Sequence, residues 1–444
     1  MVLSQQERTV LRHLAARVAE IARDPVQQEN IARWKNLNAL RRGRPLIQCA
    51  PPMEVWPELL PDSEMVIEAA EAGAEKQRLD PADTFKDTGE LRQLFRAVEG
   101  DLRRRIYRWE HIRDDEVTTA DLYIPSRHRF TDWFEGRARP YSGQADKAGR
   151  FEPCVVELDD LKKLRAPKLI MENEKADPRL DAVQEMLGDI LDVKQEFPYQ
   201  AGMYHSPLGW GTSAMDVFCE LRGLDQVMLD LCMNPGFVHE AMELITNGIM
   251  AAFDALEREG LLRLNDNETV VGPGGQGWTD ELPRDGYDGG PVTREHLWGF
   301  AQTQELAGVS PEMLAEFVLP YQARMTAPFG LNYYGCCEPN DQKWGEIMKQ
   351  IPHLRGLSVS PWSDHEVAAS ILEDKYIYSW KPHPAKMIGT FDEDFIRTEL
   401  RRVFDITRGC VVAVSLRDVQ TVEGEPRRLS RWAEIARETA AEYE

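Results

Sequence analysis

Two adjacent cysteines and a glutamate follow an apolar, aromatic run in the stretch FGLNYYGCCEP, residues 329–339. Small thiols also pack well where a strand meets a turn, so Cys336, Cys337 and Glu338 have a structural interpretation as well as a chemical one. A disulfide between neighbours would be strained, which disfavours a redox site. Thiolates, a carboxylate and an open coordination position are typical of catalytic zinc. The pattern therefore predicts a zinc site, although the chain contains no CxxC pair.

Other chemically capable side chains also follow apolar runs. Lys381 and His383 occur in YSWKPHP, and Arg417 and Asp418 follow VVAVSL. A lysine can hold an anionic group, and a histidine can donate a proton or bind a metal. A turn closed by prolines and a surface ion pair are the competing interpretations. We predict catalytic roles for Lys381, His383 and Asp418. We predict substrate contacts from His205, Trp210, Asn265, Tyr333, Trp380 and Arg417.

These residues need elements that bring them together. Short apolar runs alternate with helical patterns in about eight units, which predicts a parallel sheet and an α/β fold, a (β/α)8 TIM barrel. A doubly wound open sheet competes, but no GxGxxG follows the first strand to support its dinucleotide-binding version. Residues 1–43 form an N-terminal helical extension in this scheme, and residues 44–444 form the barrel, with an insertion or cap around residues 95–150. Barrel enzymes act at the C-terminal ends of their strands, where the residues above occur.

Composition narrows the class of protein. The 444 residues carry a formal net charge of −22, which disfavours nucleic acids and anionic membranes as partners. No apolar run reaches membrane-spanning length, and the first residues have the pattern of an amphipathic helix rather than of a signal peptide. Seven cysteines without an export signal are expected to be reduced thiols. We expect a cytoplasmic protein.

The stretch LGWGTSAMDVFCELRGLDQVMLDLCMNPGFVHEAMELIT, residues 208–246, resembles the uroporphyrinogen decarboxylase superfamily. The likeness rests on a Gly-Trp-x-Thr segment, an LRG turn, an NP..V helix start and the later helix SPEMLAEFVLPY. It covers residues 200–435 well and the first half poorly. The resemblance implies a (β/α)8 barrel. Porphyrinogen decarboxylases carry Arg-Gln-Ala-Gly-Arg after the first strand, where this chain has IQCAPPMEVW, so porphyrinogen decarboxylation is disfavoured.

A second branch of that superfamily contains zinc- and corrinoid-linked methyltransferases, which carry His-x-Cys at the end of the fifth strand and a second cysteine after the eighth. Here Tyr334 replaces the histidine, and Cys336 matches the first cysteine. A phenol is a poor zinc ligand but a proton donor, so we predict that Tyr334 is a general acid on the side of the strand that faces the substrate. Cys410 begins the last strand at its opposite end and is not a ligand. Zinc would be held by Cys336, Cys337 and Glu338, with Asp418 or His383 as additional ligands.

The resemblance implies a methyltransferase that demethylates a small methylated substrate, which is a methyl ether (aromatic ethers included) or a methylamine. The methyl group would pass to a cobalt(I) corrinoid on a separate corrinoid protein. The alternative is a cobalt-independent decarboxylase or lyase that acts on a non-porphyrin carboxylated substrate. A non-catalytic corrinoid carrier is disfavoured, because its Asp-x-His-x-x-Gly signature is missing. Homo-oligomer formation stays open.

Overall fold

The computed structural model describes residues 2–49, 65–67, 88–134, 152–171, 177–196, 213–272 and 274–444. Its centre is a six-stranded sheet in the order β1-β10-β9-β8-β7-β6, in which every neighbouring pair is parallel. β2 pairs with β5 and β3 with β4 in two small separate sheets. The strands are β1 Leu46–Cys49, β2 Asp121–Pro125, β3 Arg129–Phe130, β4 Leu169–Ile170, β5 Asp192–Glu196, β6 Trp298–Ala301, β7 Leu331–Tyr334, β8 Leu354–Val359, β9 Ile377–Trp380 and β10 Val411–Leu416.

Helices connect and cover the strands. Three consecutive helices follow residue 213, because Gly223 with φ +88° ends the first and Pro235 begins the third. In the described part of the chain, no helix is long and apolar enough to cross a membrane. The helices are α1 Gln5–Ala22, α2 Pro25–Asn38, α3 Thr88–Tyr107, α4 Pro178–Leu187, α5 Ala214–Arg222, α6 Leu224–Met233, α7 Pro235–Arg258, α8 Pro311–Phe317, α9 Leu319–Thr326, α10 Trp344–Gln350, α11 His365–Leu372, α12 Glu393–Ile406 and α13 Arg427–Ala441.

Among the described residues, carboxylate side chains accept hydrogen bonds from the backbone N–H groups on the outer edge of β1. The backbone N–H of Ile47 donates to Asp115 Oδ2 over 2.7 Å, and the N–H of Cys49 donates to Asp114 Oδ2 over 2.7 Å. Arg44 pairs with the same Asp115 carboxylate. Both carboxylates are buried. A segment without strand structure therefore covers this edge and leaves no backbone donor of Ile47 or Cys49 unpaired.

The open edge of β6 is covered in a similar way. Residues 261–267 are apolar at their start but form no strand, and the amide of Asn265 takes the place of a backbone ladder. The N–H of Trp298 donates to Asn265 Oδ1 over 2.9 Å, and Asn265 Nδ2 donates to Trp298 O over 3.0 Å. Farther along, Gln276 exchanges two hydrogen bonds with the backbone of Val117, 2.9 and 3.3 Å long, and so joins the two edge segments.

The predicted α/β class with a central parallel sheet is confirmed, and the arrangement is compatible with a TIM-barrel-like fold. One face of the sheet packs around Trp34 from α2 and Tyr333 from β7. The other face packs against helices and includes Tyr334 and Trp380. Closure into eight regular strands stays a prediction.

Candidate active site

The turn after β7 places the two predicted cysteines. Gly335 has φ +94°, a conformation that favours glycine, and it ends the strand one residue before Cys336. The carboxylate of Glu338 holds this turn. Its Oε2 accepts the N–H of Cys336 over 2.9 Å, and its Oε1 accepts Asn340 Nδ2 over 3.2 Å. Glu338 is only 3% exposed, so it stabilises the turn from inside rather than facing solvent.

The two thiols meet Asp418 from the turn after β10. The sulfur atoms of Cys336 and Cys337 lie 3.6 Å apart, and Cys337 Sγ lies 3.1 Å from Asp418 Oδ2. A hydrogen bond from the Cys337 thiol and the positive charge of Lys381 lower the pKa of Cys336, against the effect of burial. The same hydrogen bond and burial raise the pKa of Cys337, so Cys336 is the member of the pair that loses its proton more readily.

Lys381 connects the end of β9 to this turn. Its ammonium group donates a hydrogen bond to the backbone carbonyl of Cys336, which also accepts Ser358 Oγ over 2.6 Å. The side chain is buried. In this arrangement Lys381 positions Cys336 and supplies nearby positive charge. The structure thus brings Lys381, Cys336, Cys337 and Asp418 together, as expected for residues that follow parallel strands of one sheet.

His383 lies farther out at the same edge and is half-buried. Its Nδ1 accepts the N–H of Ala385 over 3.2 Å, so the neutral ring carries its proton on Nε2. The edge of its ring faces Trp362, with ring centroids 5.4 Å apart, and Trp362 is 63% exposed. The neutral His383 ring therefore has an Nε2–H available as a hydrogen-bond donor, next to an exposed aromatic side chain.

The predicted zinc ligands do not form a complete site. The S···S separation of 3.6 Å is near the ~3.8 Å expected for two thiolates on one tetrahedral zinc with Zn–S bonds of about 2.3 Å. Glu338 does not fit, because both of its oxygens already accept hydrogen bonds within the turn. Over the described ranges, no group of three or more His, Cys, Asp or Glu side chains is arranged to hold a metal ion. Zinc binding stays a prediction.

Two aromatic residues point away from this mouth. Tyr334 was predicted to face the substrate as a general acid, but it is 1% exposed and its hydroxyl lies 3.1 Å from Thr303 Oγ1 in the helix-facing core. Burial also raises its pKa, which weakens it as an acid. Trp380 packs edge-on against His365 and Phe404 in the same core. The period-2 alternation of β7 and β9 turns both side chains outward, away from the predicted substrate.

Tyr333 and Asn265 are also engaged inside the protein. Tyr333 packs between Gly274 and Gly356 of β8. An added Cβ at Gly274 would lie 2.7 Å from its ring, and one at Gly356 would lie 2.4 Å away. Asn265 uses its amide to pair with Trp298, as described above. The arrangement gives both predicted substrate residues a packing or pairing role. His205 and Trp210 lie outside the described residues.

No motif in the sequence predicted the buried hydrogen bond between Gln302 and Asp216. Gln302 Nε2 donates to Asp216 Oδ2 over 2.8 Å, next to Thr303 at the end of β6. Burial first, and then the charge of Glu305, raises the pKa of Asp216 well above its ordinary value. Asp216 is therefore a buried carboxyl group that favours the protonated form. Neither residue follows a motif, because each occurs within an ordinary helix or loop pattern.

A cavity of about 350 Å³ opens near the carboxyl ends of β1 and β10, where Gln48 and Arg417 line it. Arg417, the neighbour of Asp418, lines it and donates to Ser415 Oγ over 2.8 Å, to Gln48 Oε1 over 3.3 Å and to Gly274 O over 3.2 Å. Three arginines from the 95–150 region also line the cavity, namely Arg104, Arg105 and Arg108. They were not predicted as site residues, because their spacing is also that of a solvated helix face.

Comparison with protein families gives no match to any family model, and no curated protein sequence matches the chain. Among solved structures, the chain is similar to a methyltransferase from Methanosarcina mazei, with a TM-score of 0.46 and 10% sequence identity. The similarity covers 92% of this chain and 98% of that chain. A likeness of this size does not establish a shared activity.

Proposed function

We propose that the protein is a methyltransferase that removes a methyl group from a small methylated substrate and passes it to a corrinoid carried by a partner protein. The observation that carries the proposal is the group of Cys336, Cys337, Lys381 and Asp418 at the carboxyl edge of the sheet. Its thiols and carboxylate come from turns after different parallel strands, as catalytic groups do in sheets of this kind. The resemblance of residues 200–435 supplies the reaction class.

The reaction requires activation of the leaving heteroatom, because alkoxide and amide ions are poor leaving groups. His383 in its imidazolium form is assigned as the proton donor, because it follows β9 two residues after Lys381, which contacts the thiol turn. The carboxylate of Asp418 favours the protonated, positively charged form of the heteroatom. A cobalt(I) corrinoid on the partner would supply the nucleophile from the open side. No step is assigned to zinc, because its ligand set is incomplete.

The second candidate is a cobalt-independent decarboxylase or lyase that acts on a carboxylated substrate. It is favoured by the arginine-lined cavity, since guanidinium groups bind carboxylates in a bidentate manner. Such an enzyme would protonate a carbanion after loss of carbon dioxide. It would need no corrinoid partner. Location in the cytoplasm is compatible with both candidates and stays a prediction.

The test is a spectroscopic assay with a reduced corrinoid protein and a panel of methyl ethers and methylamines. Methyl transfer converts cobalt(I) to methyl-cobalt(III), which changes the visible spectrum. We expect this change with at least one substrate, and a loss of about 10²-fold or more in the rate for His383→Gln. A matched control is His353→Gln, since His353 hydrogen bonds to Phe329 O within the fold. Release of carbon dioxide from a carboxylated substrate without corrinoid would favour the lyase instead.

A further inference from the structure

The cavity lined by Arg417 carries more positive than negative charge. Four arginines and three carboxylates, Asp101, Glu116 and Glu268, line it. Arg105 lies 2.9 Å and Arg104 lies 3.8 Å from Asp101, and Arg108 lies 2.7 Å from Glu116, so these three arginines share two of the lining carboxylates. Counted over the lining side chains, the excess charge is positive.

Arg417 is the centre of this excess charge. In the described part of the chain it forms no ion pair with a carboxylate, and its three hydrogen-bond partners are a hydroxyl, an amide oxygen and a backbone carbonyl. A half-buried guanidinium with only neutral partners is electrostatically uncompensated. An anion in the cavity would supply the missing negative charge and an acceptor for Nη1, for which the described residues supply no hydrogen bond.

The cavity's remaining groups limit which anion fits. Three carboxylates line the cavity, so an anion of higher charge such as phosphate meets more repulsion there than a monoanion does. A volume of about 350 Å³ is at the small end of the range of ligand pockets. Val117 and Val270 are the apolar lining residues, so the ligand is small and polar. A guanidinium group binds both carboxylates and phosphates, so the lower charge of a carboxylate favours it here.

We propose that Arg417 anchors the carboxylate of a small substrate in this cavity and so presents the substrate's methylated end to Cys336 and Asp418. Arg417 and Asp418 are consecutive residues after β10, and their side chains reach the cavity and the thiol group respectively. This inference rests on the proposed methyl transfer for the identity of the substrate's other end. The substrate is then a small carboxylate that also carries an O-methyl or N-methyl group.

The test is direct binding of methoxyacetate and its neutral analogue 2-methoxyacetamide, measured by calorimetry or ligand-observed NMR. We expect the amide to bind at least about tenfold more weakly, and Arg417→Gln to weaken methoxyacetate binding by about tenfold or more. Arg408→Gln is the matched control, because Arg408 pairs with Asp405 on the exposed surface. Where Arg417→Gln fails to fold, Arg104→Gln takes its place with the same expected direction.

Equal binding of methoxyacetate and the amide would overturn the site, as would unchanged binding in folded Arg417→Gln. Inorganic phosphate that binds as tightly as methoxyacetate would overturn the assignment to carboxylates. Separate measurements of ligand binding and of methyl transfer distinguish the proposed carboxylate site from the proposed reaction. Carboxylate-dependent binding without methyl transfer would uphold the site and contradict the reaction. Demethylation of the amide at the rate of the acid would uphold the reaction and contradict the site.

Discussion

The Sγ atom of Cys337 lies 3.1 Å from Oδ2 of Asp418, although the two residues follow strands that are three positions apart in the sheet. Three strand spacings of about 4.8 Å would separate the strands by roughly 14 Å in a flat sheet. The turns after β7 and β10 therefore meet across the ends of β8 and β9. Asp418 makes the contact with φ +60°, a conformation that is uncommon outside glycine. Such strain is tolerated where the surrounding structure holds it, and it often occurs at functional sites.

The thiol pair predicts an unequal reactivity of the two cysteines. Cys336 should react with iodoacetamide faster than Cys337 at neutral pH, because its pKa is lowered and that of Cys337 is raised. Cys337→Ala removes the donor, so the pKa of Cys336 should rise and its alkylation slow, whereas Cys337→Ser should keep most of the effect. The measurement is the alkylation rate against pH, by mass spectrometry of the labelled peptide. Equal rates in the Ala and Ser variants would show that Cys337 does not stabilise the thiolate.

Zinc content tests the incomplete ligand set. We expect less than one zinc per chain after dialysis against a chelator, because Glu338 is held by its own turn. Cys336→Ser should remove what remains, while Glu338→Gln and Cys410→Ser should not change it. Cys410 is a suitable control, since it lies at the other end of β10 with its thiol 3.7 Å from Ala369 O. Elemental analysis of the purified protein decides this. A full equivalent of zinc that is lost in Glu338→Gln would mean that this carboxylate leaves the turn to bind the metal.

Tyr334→Phe separates a packing residue from a general acid. The buried hydroxyl has a hydrogen bond to Thr303, so its loss should destabilise the protein by about 1 kcal/mol. Methyl transfer should slow by less than about tenfold, because the hydroxyl is not at the mouth of the site. Urea denaturation and the corrinoid assay measure the two effects. A rate loss of about 10²-fold at unchanged stability would restore Tyr334 as the proton donor.

His365 predicts a specific pH dependence of stability. Burial lowers its pKa from 6.5 to about 4, so the folded protein keeps the ring neutral, with Nδ1 2.7 Å from the Tyr378 hydroxyl. Between these two pH values the unfolded chain binds the proton and the folded chain does not. The neutral His365 ring therefore makes its full contribution to the free energy of unfolding above pH 6.5. That contribution is lost as the pH falls towards 4, by up to about 3 kcal/mol.

The check is the free energy of unfolding against pH for the natural protein and for His365→Asn. Their difference should change over this window, because the variant lacks the titrating ring. His13→Asn is the control at an exposed position of α1. Parallel curves for the natural protein and His365→Asn would mean that His365 titrates normally in the folded state.

The amino-acid sequence alone determined most strands of the central sheet and the edge of the sheet at which the chemically reactive side chains lie. The apolar runs that became β1, β7, β8, β9 and β10 are short, rich in β-branched and aromatic residues, and bounded by Gly or Pro. Their alternation with helices implies a parallel sheet, and parallel strands place their carboxyl ends together. The neighbourhood of Cys336, Lys381 and Asp418 follows from that rule without further information.

Only the tertiary structure decided which side chains face the site. Both faces of a covered parallel sheet are buried, so LNYY in β7 has no polar alternation to tell Tyr333 from Tyr334. The role of Glu338 depended on which backbone groups it meets within its turn. The contribution of Arg104 depended on its position beside the same cavity as Gln48 of β1 and Arg417, which brings together segments distant in the chain. Local sequence patterns record propensity and period, whereas such long-range contacts are set by the packing of the whole chain.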